Sequence, residues 1–258
     1  MTKAYFEPIF ILGVRVDQVN LDELLQFVVS IVEGKEKAVI ANVNVYAVNL
    51  AQKFPWFRKF INSSRVVFCD GFGVKWAARL LKDKVLARFT PPDWFDFLAN
   101  KCAQEGFTMF LMGTRQPVIE RAALVLQEKH PQLKLVGIQH GFFDKTMGSV
   151  ENQAVVDRIN ALKPDILVVG FGMPTQEKWI LDNWDQLRVH VVIPVGAFFD
   201  YLAGDVARAP RWMTDYGFEW LGRLLIEPQR LWKRYLVGNP LFIFRVILQK
   251  LKIRNYDT

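Results

Sequence analysis

The stretch that decides the fold is Pro164-Asp-Ile-Leu-Val-Val-Gly-Phe-Gly-Met-Pro-Thr-Gln-Glu-Lys-Trp179. Ile166 to Val169 form a short unbroken apolar run, the pattern of a strand buried on both faces. Gly170 and Gly172 end it, and Pro174 can open a helix, because its missing N–H has no partner in a first turn. Glu177 then falls near a helix N-terminus, where negative charge is favoured. Strand, glycine-rich turn and helix start are how α/β proteins hold phosphate: glycine admits a close backbone approach, and free N–H groups face the anion. The same residues also suit an ordinary βα turn. Gln176 and Glu177 favour a site, since a polar pair at the mouth of a buried strand can read a sugar or base edge.

Outward from that stretch the rhythm recurs. Strand patterns occupy residues 9–16, 37–40, 65–69, 108–112, 134–137 and 190–195. Helical patterns occupy 21–33 (with Asn20 as cap), the segment after Tyr46 to about Phe54, and 73–81, 94–105, 118–129 and 153–162. A further helix follows Pro174 to about Trp184, and Arg88-Phe-Thr-Pro-Pro-Asp93 reads as a loop capping the helix at 94–105. Strands alternating with helices predict an α/β fold: a Rossmann-like, mostly parallel sheet with helices on both faces. Near Arg208-Ala209-Pro210 the chain turns helical, aromatic and basic. The expected division is therefore an α/β core at 1–207 and a C-terminal basic helical appendage at 208–258.

The composition narrows the function classes. With 51% hydrophobic and 14% aromatic residues, the 258-residue chain can fill a core, which excludes bulk disorder. Two cysteines, Cys69 and Cys102, supply neither a disulfide framework nor a metal quartet, and fit a reducing compartment. No stretch reaches the roughly 18–20 apolar residues that span a bilayer, and the run from Ile9 is too short for a signal peptide. A soluble or peripheral cytoplasmic protein is expected. The net charge is +7, and the last 51 residues carry ten basic against four acidic side chains, so +6 of it lies there. A near-neutral body with a basic tail calls for an anionic partner: a phosphate-bearing substrate, anionic lipid or nucleic acid.

In open α/β sheets, ligands bind beyond the C-terminal strand ends. The polar and glycine residues there are Asn42, Asn44, Asp70, Gly113, Thr114, Gly172 to Gln176, and Asp200. Each is also common turn chemistry; together on one rim they suggest a site. Asp70 directly follows Val66-Val67-Phe68-Cys69. A carboxylate there is partly desolvated, which raises its pKa towards the range of a general base; the alternative is an N-cap for the helix after Gly73. There is no Asp-x-Asp pair, HExxH motif, Cys/His cluster or Walker-type Gly-Lys-Thr/Ser. No metal and no cofactor is expected, and a phosphorylated leaving group would have to be neutralised by arginines.

Taken together these residues resemble the bacterial WecG/TagA/CpsF glycosyltransferases (glycosyltransferase family 26). The motifs are Asn-Val-Asn at 42–44, Asp-Gly-Phe-Gly-Val at 70–74, Arg-Phe-Thr-Pro-Pro-Asp at 88–93 and Phe-Leu-Met-Gly at 110–113. They continue with Gly-Phe-Gly-Met-Pro-Thr-Gln-Glu-Lys-Trp at 170–179 and Val-Gly-Ala-Phe-Phe-Asp-Tyr-Leu-Ala-Gly at 195–204. Arg-Ala-Pro-Arg-Trp at 208–212 and the run from Glu219 to Tyr235 complete the set. The resemblance implies an inverting, metal-independent transfer of sugar from a UDP-sugar, such as UDP-N-acetylmannosamine or another UDP-hexose, to a polyprenyl-diphosphate-linked sugar. It implies Asp70 as catalytic base, and donor contacts from Asn42, Asn44, Arg88, Asp93, Gly113, Gly172, Gln176, Glu177 and Asp200. It also implies diphosphate contacts from Arg208, Arg223, Arg230, Lys233 and Arg234. Three positions depart from the family pattern: Asn42 replaces a threonine, Pro91-Pro92 replaces a glycine-containing loop, and Lys233-Arg234 stands where two arginines are usual.

The implied setting is cell-surface polysaccharide synthesis on the inner face of the plasma membrane, with an anionic membrane surface as a partner and a homo-oligomer admitted. Residues 240–254 have the composition of an interfacial helix, with Arg245, Lys250, Lys252 and Arg254 facing lipid phosphates. The competing reading packs Phe242, Phe244 and Ile247 on the protein's own core or on another subunit. Pro228 at a helix start would put Arg230 and Arg234 four apart on one face. An oxidoreductase would want Gly-x-Gly-x-x-Gly after the first strand, which Gly13-Val14-Arg15 does not provide. A non-catalytic basic Rossmann-like binder of nucleotide or nucleic acid is the alternative; nucleic acid is not the expected partner.

Overall fold

The unbroken apolar runs become the inner strands of a parallel sheet. The structure, a computed structural model, describes residues 5–256. Its strands are β1 (Pro8–Ile11), β2 (Val14–Asp17), β3 (Ala38–Val43), β4 (Val66–Cys69), β5 (Thr108–Gly113), β6 (Lys134–His140), β7 (Ile166–Gly170) and β8 (Val191–Pro194). The helices up to residue 105 are α1 (Leu21–Glu33), α2 (Val45–Lys53), α3 (Pro55–Ser63), α4 (Phe72–Lys82) and α5 (Pro91–Glu105). Then come α6 (Gln116–Lys129), α7 (Val150–Leu162), α8 (Thr175–Asn183) and α9 (Phe198–Leu202). The chain continues through α10 (Arg211–Asp215), α11 (Glu219–Ile226), α12 (Pro228–Trp232), a π-helical turn (Lys233–Val237) and α13 (Gly238–Lys250).

Six strands form a parallel sheet in the order β4-β3-β8-β7-β5-β6, flanked by helices, so the expected α/β class holds. Every residue of β7 and β8 is buried, as a strand covered on both faces requires. β6 lies at the edge and is only partly covered.

The chain forms two compact units, one of residues 5–20, 42–90 and 207–256, the other of 21–41 and 91–206. In the first, α13 packs on α2 and α4, with Phe242 and Val246 buried. Asn49 Nδ2 donates to the Gly238 carbonyl at 2.8 Å, and Gln249 Oε1 accepts from Leu12 N at 3.0 Å. Arg15 and Asp17 form a buried ion pair at 2.8 Å, and Asp17 Oδ2 accepts from Val67 N at 2.8 Å, tying the β1–β2 hairpin to β4. In the second unit, a buried chain of hydrogen bonds runs from Trp179 Nε1 to Asn152 and on to Asn183.

Several local expectations are corrected. The single strand at 9–16 is an antiparallel hairpin. Leu12 and Gly13 have φ of 51° and 74°, the left-handed pair that a two-residue hairpin turn demands; an apolar leucine in the turn hid it. Helix α3, opened by Pro55, was not anticipated. The loop from Arg88 ends at Thr90, because Pro91 suits a first helical turn and starts α5, which puts Asp93 inside that turn. Pro174 stands at the cap of α8 rather than inside it. Asp200 lies within the short helix α9, not on the strand end itself.

Candidate active site

In the first unit the sequence Asp70-Gly-Phe-Gly73 leaves β4 and enters α4 beside the start of α2. Gly73 makes this approach possible: a Cβ there would lie 2.3 Å from Val45 Cγ2. The cap of α4 is Gly71, so the Asp70 carboxylate is not spent as an N-cap. Instead Asn44 Nδ2 donates to Asp70 Oδ2 at 3.0 Å. Asn44 is itself fixed, since its Oδ1 caps α2 by accepting from Ala47 N at 3.1 Å. Burial pushes the Asp70 pKa up to about 7, against the hydrogen bond from Asn44; Glu219 raises it further, while Arg234 and Arg88 pull it down.

The basic residues around it divide by what they already hold. Arg88 lies over the Phe72 ring at 4.7 Å and faces Glu219 Oε2 at 3.5 Å. Arg208 reaches Thr90 Oγ1 at 3.3 Å and Glu219 Oε1 at 4.0 Å. Glu219 thus gathers two of the predicted arginines, a role the sequence reading did not assign. Its signal in sequence is an acidic residue inside a basic segment. Arg230 is exposed and pairs with Glu227 at 2.5 Å. Lys233 is exposed over Trp232. Arg223 is half-buried on α11. Arg234 lies over the ring of Tyr46 at 4.5 Å and is electrostatically coupled to Asp70. Arg230 is exposed and Arg234 half-buried, and the α-helical run between them gives way to a π-helical turn at Lys233. Asn42 is buried on β3.

The second unit holds the other predicted residues. Gly113 ends β5 with a φ of 158°, and a Cβ there would lie 2.4 Å from the Gly170 carbonyl oxygen, so strand packing alone demands glycine. Gly172, by contrast, has a φ of 82° and open space around a built Cβ; its conformation needs glycine while its surroundings leave an approach. The Gln176 side chain is buried, and its Oε1 accepts from Gly172 N at 3.2 Å and from Gly196 N at 3.0 Å. Its Nε2 donates to Glu177 Oε1 at 2.7 Å. Glu177 is also buried, with no hydrogen-bond partner for Oε2, and burial pushes its pKa up to about 7. This pair joins the two glycine turns from behind. Asp200 Oδ1 accepts from Thr114 Oγ1 at 2.6 Å. Asp93 is exposed in the first turn of α5. Among the described residues, no group of three or more His, Cys, Asp or Glu is placed to hold a metal ion.

A parallel α/β sheet carrying a desolvated strand-end carboxyl among arginines is here the framework of a glycosyltransferase, as comparison with known proteins shows. A sequence model of the glycosyl transferase WecG/TagA/CpsF family matches residues 9–256, and the chain belongs to that family. The resemblance carried by the motifs is thereby borne out. Among curated proteins, the chain is similar to the N-acetylglucosaminyldiphosphoundecaprenol N-acetyl-beta-D-mannosaminyltransferases of Staphylococcus aureus strains NCTC 8325 / PS 47 and COL. It is 29% identical to each over 248 residues, covering 95% of this chain and 94% of theirs.

Proposed function

We propose that this chain transfers a sugar, N-acetylmannosamine or another hexose, from its UDP donor to a polyprenyl-diphosphate-linked sugar in cell-surface polysaccharide synthesis. The observation that carries the reading is Asp70, tuned by burial to about 7, held by Asn44 and coupled to Arg234. A carboxyl with that pKa accepts a proton readily near neutral pH. Asp70 takes the proton of the acceptor hydroxyl as that oxygen bonds to the anomeric carbon. The bond to UDP breaks on the opposite face, the sugar inverts, and the electron pair leaves on the diphosphate. Arg234, with Arg223, Arg208, Arg230 and Lys233, neutralises that growing charge in place of a metal.

The donor contacts proposed for Asn42, Asn44, Arg88, Asp93, Gly172 and Asp200 are direct ones. Gly113, Gln176 and Glu177 serve the donor indirectly, by fixing the strand-end turns. The lipid-linked acceptor calls for a membrane setting, and no described helix is long and apolar enough to cross a bilayer. We therefore place the protein on the inner face of the plasma membrane, with segment 208–258 as active-site lid and with α13 meeting an anionic surface. Its exposed Ile243, Phe244, Ile247 and Lys250 are followed directly by the exposed Leu251, Lys252 and Arg254. Arg245 is not among the lipid-facing cations, since its Nη1 donates to Asn49 Oδ1 at 2.8 Å.

The test is UDP release from a panel of UDP-sugars with a synthetic N-acetylglucosaminyl-diphospholipid acceptor, with and without EDTA. Acceptor-dependent release that persists in EDTA is expected. Release from no UDP-sugar, alongside tight and salt-sensitive RNA binding, would favour the non-catalytic alternative.

A further inference from the structure

Arg234 is held by aromatic rings and not by carboxylates. Its guanidinium carbon lies 4.5 Å from the ring centre of Tyr46 and 5.4 Å from that of Tyr235. Tyr235 is buried, and its ring meets Trp220 at 5.9 Å. Arg234 makes no hydrogen bond or ion pair with the described residues, and its Nε is closed off without a partner. Arg88, Arg208 and Arg230 all engage carboxylates. A guanidinium held by aromatic rings leaves its terminal Nη donors unspent, which suits a fork to phosphate oxygens. Plain packing would not need a charge there, because a half-buried cation with no carboxylate within ion-pair distance is costly.

Two features of the chain build the arrangement. Tyr46 sits in the first turn of α2, whose cap Asn44 holds the Asp70 carboxylate. One helix start thus serves both the base and the arginine. The π-helical turn Lys233–Val237 sets successive residues nearer a common face than an α-helix does, so Arg234 and Tyr235 both turn inward.

We infer that Tyr46, together with Tyr235, is the platform that holds the Nη edge of Arg234 for the diphosphate of the donor, making Tyr46 a positioning residue of the transfer. The inference rests on the diphosphate role proposed above for Arg234. The experiment uses the full-length protein and its Tyr46→Leu, Tyr46→Phe and Arg234→Ala variants, with calorimetric affinities for UDP and for UMP, and melting temperatures.

Tyr46→Leu should weaken UDP binding by about three- to thirty-fold while UMP changes by less than about two-fold. Tyr46→Phe, which keeps a ring face, should hold the UDP-to-UMP ratio within about two-fold of the parent. Arg234→Ala should collapse the ratio as Tyr46→Leu does. If Arg234→Ala collapses the ratio and Tyr46→Leu does not, the platform is wrong while the diphosphate role stands. If Arg234→Ala leaves the ratio intact, the diphosphate role fails and the inference with it. Equal losses for UDP and UMP in Tyr46→Leu reduce Tyr46 to packing. Should Tyr46→Leu fail to fold, Tyr46→Met carries the same comparison.

Discussion

Asp70, the proposed base, is poorly solvated, and that desolvation sets its pH behaviour. Its folded pKa, about 7, lies above the ordinary aspartate value of 3.8, so the folded state binds its proton more tightly than the unfolded chain. This group therefore makes stability fall as pH rises from about 4 through about 7. Activity runs the other way, since a base must first lose its proton. We expect kcat to rise along an acid limb centred near pH 7. Asp70→Asn should lower kcat by about 10²–10⁴-fold and abolish that limb. The same variant should melt no lower than the parent at pH 8, as read by calorimetry. Glu177 obeys the same sign: its pKa is raised to about 7 by burial, and Oε2 has no partner. Glu177→Gln should melt higher than the parent at pH 8 and lose that advantage at pH 5. Gln176→Ala should cost about 1–3 kcal/mol in a denaturant titration, by stripping the Gly172 and Gly196 N–H groups of their shared acceptor.

At the scale of elements, α13 has a buried face and an exposed one. Phe242 and Val246, four residues apart, point into the packing on α2 and α4. Ile243, Phe244 and Ile247 face outward. Phe242→Ala should destabilise the protein by about 3–5 kcal/mol, measured by denaturant unfolding. Phe244→Ala and Ile247→Ala should stay within about 0.5 kcal/mol of the parent yet reduce co-sedimentation with anionic vesicles. If both outward variants bind vesicles as the parent does, the outward face is not the lipid contact. The chain cannot simply shed this helix, because its inward face packs on α2 and on α4, the helix that follows Asp70.

At the scale of the molecule, the uneven charge is the dominant feature. Of the net charge of +7, +6 resides in the last 51 residues. Each basic side chain near an anionic surface contributes about 1 kcal/mol, and the attraction is screened within about 10 Å at 0.1 M salt. Binding to phosphatidylglycerol vesicles should therefore be strong at low salt, fall steeply by 0.5 M sodium chloride, and be weak on phosphatidylcholine. Turnover in EDTA should match turnover in Mg²⁺ under the proposal that arginines, and not a cation, neutralise the leaving diphosphate. A requirement for Mg²⁺ or Mn²⁺ that EDTA exposes would overturn that assignment.

The sequence by itself determined the alternation of strand and helix, since apolar runs such as Ile166 to Val169 leave few other ways to be buried. It also determined Asp70 as the carboxylate to watch, because a charge directly behind four apolar residues is desolvated in almost any α/β arrangement. It missed the turn at Leu12-Gly13, where an apolar residue accepts a left-handed backbone and only the pairing of β1 with β2 reveals it. Which arginine is free could not be read from composition, because that depends on partners far away in sequence: Glu219 engages Arg88 and Arg208, while Tyr46 underlies Arg234. Whether Gln176 faces outward or ties two turns together was likewise settled by the distance between Gly172 and Gly196, which only the packing of β7 beside β8 fixes. Local pattern encodes what a segment must bury; only the tertiary structure decides which polar groups are left with unspent hydrogen bonds, and chemistry is done by those.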